Sequence, residues 1–409
     1  MTSTPLAPPA STLRVGLLVG AVALTAFNLR TGVTGFSPLA DRIGDDLGFG
    51  APVIGAIGTV VTACFAIFGL VSPSVARWIG LERAMVLALV VSTLGTLLRS
   101  ISSSTELLIG SSVLLFAGIG MANVLTIPLI KRWFPARLGT LSSVYAVLLQ
   151  VGQVVAPIVS VAVAESLGWR WALAIWAFPL AIAAAMWAVP ALAGRGAPAG
   201  STAAPQRLDA ATRRRYWRTP TVRGLILLFS MTALHTYTIV TWLPNIAIDA
   251  GLGEGGGGAL LAFFSVFGIA AGFVVPGLTL RMRNPIGVVV GCAALLGVGY
   301  ILLAIDPTTF AWTATAALGL GVSTFPLCLA LVHRRSTTPE GGTFLSGAMQ
   351  GIGYGVACIG PLCVGWVLTA TGSWLPVYVW LVATLAVTVY GGVLACRPGS
   401  VEADAAERA

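Results

Sequence analysis

Twelve mostly apolar stretches, most of twenty or more residues and joined for the most part by short polar connections, leave this chain little choice of fold. They run over 13–40, 51–76, 83–101, 105–130, 138–163, 170–192, 222–247, 257–280, 286–305, 309–332, 343–369 and 375–396. About twenty such residues, at about 1.5 Å each, carry a helix across the hydrocarbon of a bilayer. Charged residues are only 9% of the chain and mean hydropathy is +0.93. Soluble domains carry about 25% charged residues, so the bilayer is the main solvent here. The expected fold is all-α and polytopic, with twelve transmembrane helices.

The net charge of +9 does not point to nucleic acid, because the positive residues lie in the joints between apolar stretches. With the N-terminus placed inside, the inner joints and tails hold Arg77, Arg83, Lys131, Arg132, Arg137, the Arg213–Arg215 run, Arg334, Arg335 and most other arginines. The outer side holds Arg42, Arg99 and Arg170, together with acids such as Asp41, Asp45, Asp46 and Asp249. Positive charge orients helices inward, so both ends are expected in the cytoplasm of a bacterial inner membrane. The six cysteines fall in apolar stretches or at the last helix end, which argues against a disulfide framework. The opening tail, 1–12, leads into a stretch too long for a signal peptide.

The two halves repeat. Leu141-Ser142, Pro157 and Gly168 recur as Leu345-Ser346, Pro361 and Gly372 at one constant offset. Gly118-x-Gly120 is echoed by Gly319-x-Gly321, and Pro38 with Leu47-Gly48 by Pro244 with Leu252-Gly253. Between the halves, 193–220 is rich in small residues and proline and then strongly basic. It reads either as a linker with a membrane-surface helix or as a solvated linker that enforces topology. The expected organisation is a tail at 1–12, a six-helix bundle at 13–192, a linker at 193–220, a second bundle at 221–396 and a tail at 397–409. Paired pseudo-symmetric bundles with a site between them are the design of alternating-access carriers.

Arg30 is the strongest functional signal. It lies in Phe27-Asn28-Leu29-Arg30-Thr31-Gly32, with no carboxylate before Asp41, about 16 Å further along a helix. A lone cation at that depth costs at least about 2.5–3.5 kcal/mol. The position is too deep for easy snorkelling, so the guanidinium must face water, protein dipoles or a guest. Its planar fork of donors suits a planar anion.

Several stretches together carry a resemblance. They are Asn28-Leu29-Arg30 to Pro38-Leu39, Ala122-Asn123-Val124-Leu125 with Ile130-Lys131-Arg132-Trp133-Phe134-Pro135, Trp242-Leu243-Pro244, and Leu345-Ser346-Gly347-Ala348-Met349-Gln350-Gly351-Ile352-Gly353-Tyr354. With twelve spans and repeated halves, the chain resembles the major facilitator superfamily, and within it the cyanate and 2-nitroimidazole permease branch. The resemblance covers roughly 13–396 and implies a carrier for a small polar or anionic solute. One departure stands out. Where the superfamily usually has an acid between spans two and three, this chain reads Val75-Ala76-Arg77-Trp78-Ile79-Gly80-Leu81-Glu82-Arg83. Arg77 takes about the place of the acid, so Arg77, Glu82 and Arg83 form the expected gating loop, with Glu82 as a candidate substitute.

The remaining polar groups in the apolar stretches divide by function. Asn123, Tyr237, Gln350 and Tyr354 join Arg30 as the expected substrate-binding set. Gln350 and Tyr354 share a helix face at i, i+4. Tyr145, Gln150 and His235 are candidates for substrate contact or coupling. For His235, proton coupling stands beside a packing role as a neutral ring bonded between helices. Asn123 either binds solute or fastens its helix to a neighbour. Tryptophans near span ends, including Trp78, Trp133, Trp169, Trp171 and Trp374, are expected as interface anchors. The spans are expected to hold no carboxylate.

The expectation is a monomeric secondary carrier working by rocking of two bundles, with a drug-efflux carrier of the same fold as the alternative. No cofactor, metal site, catalytic cluster or nucleic-acid partner is expected. Protons are a candidate coupling ion and the bilayer is the second partner.

Overall fold

The computed structural model describes residues 12–192 and 208–406. The tail before Thr12, most of the linker with Arg195 and Arg207, and Arg408 lie outside the described residues. Among the described residues, twelve helical segments are long and apolar enough to cross a membrane: Val15–Leu47, Ala51–Ile79, Leu81–Ser100, Thr105–Trp133, Pro135–Leu167, Trp169–Leu192, Pro220–Asp249, Gly253–Thr279, Ile286–Ile305, Ala311–Arg334, Pro339–Thr371 and Leu375–Ala395. They match the twelve expected stretches in order, and the chain is a multi-pass membrane protein. An even number of crossings puts the start of the first span and the end of the twelfth on one face, which also carries most arginines of the described residues and is called the basic face below. The opposite, acidic face carries Asp41, Asp46, Asp249 and Glu254.

Prolines decide where the spans bend. The first span is helical over Thr12–Thr34, passes through a 3-10 turn at Ser37–Leu39 around Pro38, and resumes at Ala40–Leu47. Proline lacks the N–H a helix needs and disfavours helical backbone just before it. The eleventh span breaks at Cys358, three residues before Pro361, while the fifth stays one helix through Pro157. The repeated sequences therefore bend differently. Gly168 and Gly372, by contrast, do the same job: both end a helix with positive φ, +87° and +62°. The Gly-x-Gly pairs serve equivalent neighbours in opposite order. A side chain at Gly118 would strike Ala88 of the third span, and one at Gly120 would strike Cys64 of the second. At Gly319 and Gly321 the obstacles are Phe264 of the eighth span and Leu296 of the ninth.

The first six and last six spans form two bundles. Between them, the second span packs on the eleventh and the fifth on the eighth, while the seventh is the most enclosed span of all. Hydrogen bonds between the bundles gather at mid-depth and toward the acidic face. Arg42 pairs with Glu254 through two contacts of 2.8 Å, and Asn245 Nδ2 donates to Asp41 Oδ1 at 2.7 Å. Thr59 Oγ1 donates to the Cys358 carbonyl at 2.9 Å, at the kink before Pro361. The acidic face is thus latched shut.

The structure adds detail at the span ends and corrects one expectation, the interface role of Trp169. The helices run past the apolar stretches and so carry carboxylates at their ends: Asp41 near the acidic end of Val15–Leu47, and Glu82 at the start of Leu81–Ser100, where it is 6% exposed. Arg99 lies in the last turn of the third span, toward the acidic face, and is buried there. Trp169 is also buried, donating to Asp46 at 3.0 Å, whereas Trp78 and Trp171 are exposed as anchors should be. A short helix, Val401–Ala406, packs on the basic face beside a second one, Ala210–Trp217, whose Tyr216 and Trp217 rings meet Phe344 edge-on. Burial works against the charge of Glu402. The Thr337 and Thr338 N–H groups and the Thr338 hydroxyl outweigh it and hold the carboxyl below the ordinary range.

Candidate functional site

Arg30 lies close to the midpoint of Val15–Leu47. Phe65, Tyr237 and Tyr354 lie close to the midpoints of the second, seventh and eleventh spans, so four helices from both bundles bring these side chains to one depth. Nη1 of Arg30 donates to the Tyr237 hydroxyl at 2.6 Å. The guanidinium carbon is 5.4 Å from the Tyr237 ring centre and 5.9 Å from that of Phe65. Tyr354 stands against both rings, 6.0 Å from Tyr237 and 5.7 Å from Phe65, and leans on Phe229 at 5.2 Å. The Tyr354 and Tyr145 hydroxyls are near enough to Arg30 to interact with its charge.

None of the ion pairs among the described residues includes Arg30. Its partners are a neutral hydroxyl and the negative faces of aromatic rings, which steady a cation without cancelling it. Although it sits at mid-depth, Arg30 is only partly buried. With the acidic face latched beyond it, the other polar candidates around it lie toward the basic face. Asn123 and Tyr145 lie on that side and are also partly accessible, with the Tyr145 hydroxyl donating to Asn123 Oδ1 at 2.9 Å. Gln350 bonds within its own helix, to Ser346 Oγ at 2.8 Å, and is partly accessible.

Three other candidates lie elsewhere. His235 is fully buried inside the second bundle. Nδ1 meets the Tyr300 hydroxyl at 2.9 Å and Nε2 meets Thr384 Oγ1 at 3.3 Å, which ties the seventh, ninth and twelfth spans together. The residue facing Arg30 is Tyr237, two positions on. We expect His235→Gln to leave the pH profile of activity unchanged and to lower stability by about 1–3 kcal/mol, the cost of a disturbed buried polar pair. A pH titration of uptake beside a thermal melt checks both. Gln150 packs against Gly268 where the fifth span meets the eighth. In the gating loop, Arg77 bonds to Ser74 at 2.8 Å and Arg83 is exposed. Glu82 accepts from Trp133 Nε1 at 3.1 Å and meets Arg132 Nε at 3.2 Å. Those contacts tie the third span to the fourth within one bundle.

Sequence reasoning missed Phe65 and Phe229. An aromatic residue in an apolar span carries no signal of its own, and only the neighbouring helices show that it faces a cation or a tyrosine. Residues 22–361 match the family model described as Major Facilitator Superfamily. The chain belongs to the major facilitator superfamily. Among curated relatives it is 28% identical to a 2-nitroimidazole transporter of Escherichia coli (strain K12), over 92% of this chain and 94% of that one. It is 25% identical to a cyanate transport protein of the same organism, over 86% and 90%. Superfamily structures share the fold at lower identity. One is a nucleoside transporter with TM-score 0.74, 13% identity and coverage of 93% and 100%. Another is a bacterial homolog of the human lysosomal transporter Spinster, inward-facing and occupied, with TM-score 0.70, 14% identity and coverage of 94% and 97%. As a superfamily member with transporters as relatives, this chain is a secondary transporter.

Proposed function

We propose that this transporter carries a small, flat, anionic or strongly polar solute through a site centred on Arg30, with the two bundles rocking about it. The observation that supports this best is a mid-depth guanidinium, partly accessible, with no carboxylate partner and with aromatic walls contributed by both bundles. Its free donors suit a planar anion, and Phe65, Tyr237 and Tyr354 offer ring faces and edges to a flat guest. Asn123, Tyr145 and Gln350 are the groups we assign to orienting it from the basic side. The names of two relatives, one for cyanate and one for a nitroheterocycle, agree with that chemistry. A drug-efflux role for cationic guests fits less well, because Arg30 repels cations.

The orientation we infer puts the basic face in the cytoplasm. In the present arrangement the site then opens inward and is latched outward. Uptake and counterflow into proteoliposomes, screened across labelled cyanate, formate and other small carboxylates, and 2-nitroimidazole, test the reading. We expect saturable flux of at least one of these and none of a lipophilic cation such as tetraphenylphosphonium. Saturable transport of the cation alone would reverse the assignment.

A further inference from the structure

Arg99 is a second buried arginine whose chemistry the Arg30 site does not use. It lies in the last turn of the third span and is 1% exposed. Nη1 donates to the Gly32 carbonyl at 2.8 Å. That bond has a structural cause. The first helix ends at Thr34, and the Phe36 N–H turns back to Val33 rather than to Gly32, so the Gly32 carbonyl is left to Arg99. The guanidinium carbon also stacks 4.1 Å from the centre of the Phe36 ring and lies 5.6 Å from that of Phe116.

The cap accounts for one nitrogen. Nε and Nη2 find no acceptor among the described residues, and no ion pair there includes Arg99. These two N–H groups project side by side from one edge of the guanidinium, the edge that takes an oxyanion in two parallel hydrogen bonds. Capping a single carbonyl needs no such edge, and a lysine would do it. Arg99 also lines a narrow cavity, with room for about one water, on the seam between the bundles. Val33, Phe36, Ser37, Gly58 and Phe116 wall it from the first bundle and Thr241 from the second. It lies on the acidic-face side of Arg30, since Val33, Phe36 and Ser37 follow Arg30 along the first span. When the bundles part at that face, Thr241 moves away with the second bundle and the cavity widens around Arg99.

We propose that Arg99 forms a second anion-binding position, a staging point on the acidic-face path to Arg30, which holds a small planar or cyanate-like anion on its Nε/Nη2 edge. The proposal rests on the anion reading of Arg30. Along the first span, Gly32 lies two residues beyond Arg30 toward the acidic face, which places Arg99 on that side of the central site.

Arg99→Lys keeps a positive charge able to cap Gly32 and removes the two-donor edge. Labelled cyanate uptake is measured in right-side-out and inside-out membrane vesicles, which present opposite faces. The expected result is a KM raised about tenfold in the preparation that presents the acidic face and unchanged in the other. A KM unchanged in both, or raised equally in both, overturns the proposal. A second measurement needs no variant: selenocyanate diffused into wild-type crystals of the acidic-face-open state, located by the anomalous scattering of selenium. Anion at both arginines supports the proposal. Anion at Arg30 alone overturns it and leaves the Arg30 reading standing, whereas anion at neither overturns both.

Discussion

Arg30→Gln abolishes transport and leaves a folded protein in the membrane. Truncating one partner of a desolvated, hydrogen-bonded charge pair costs about 2–5 kcal/mol. At about 1.4 kcal/mol per tenfold, the solute loses roughly 30-fold to 4,000-fold in binding at this site. The fold should survive because the substitution removes a costly intramembrane cation rather than creating one. The loss on the protein side is one hydrogen bond to Tyr237, about 0.5–1.5 kcal/mol. Had Arg30 been locked to a carboxylate, the same change would have stranded a buried anion, and loss of folding would have been the expected result. Uptake of the labelled anions beside gel-filtration and melting profiles separates the outcomes. Near-normal uptake by well-folded Arg30→Gln protein would remove this residue from the site.

Valine at Gly55 or Gly365 should stop transport in a different way, by holding the acidic face open. At that face the second span touches the eleventh through backbone. A Cβ on Gly55 would sit 2.6 Å from the Pro361 carbonyl oxygen, and one on Gly365 would sit 2.5 Å from that of Ala51. Both obstacles are main-chain atoms, which cannot rotate away as a side chain can. Each helix alone accepts valine readily, so the clash acts only in the state where the bundles meet there. Overpacking of this kind costs about 1–3 kcal/mol. At the upper end that shifts the balance between the two states by on the order of 100-fold. Spin labels at Gly50→Cys and Ser373→Cys, in a background without the native cysteines, should report a longer distance across the acidic face in either variant. An unchanged distance together with wild-type flux would show that the face closes without this contact.

The chain's solvent and crossing number were legible without coordinates, because a bilayer accepts only long apolar helices and marks their ends with charge. Arg30 was legible for the same reason, since an unpaired cation at mid-span has no inexpensive structural explanation. The repeats revealed two bundles but misled in detail. Pro157 and Pro361 align, yet only the eleventh span breaks, and of the two candidates on the seventh span it is Tyr237, not His235, that meets Arg30. Register across a helix interface is set by how two surfaces interlock, and a shift of one or two residues turns a side chain from the cavity into the bundle interior. Arg99 shows the same limit, for its place near the outer end of a span did not reveal that packing buries it over Phe36.

The amino-acid sequence by itself determined a twelve-span, twofold membrane protein with a cation at its centre, because hydropathy and charge act locally and along the chain. Tertiary structure alone decided which groups meet that cation, which face is latched, and which polar residues merely bind helices together. Those facts depend on helix rotation and bundle docking, which are settled by contacts between residues some two hundred positions apart.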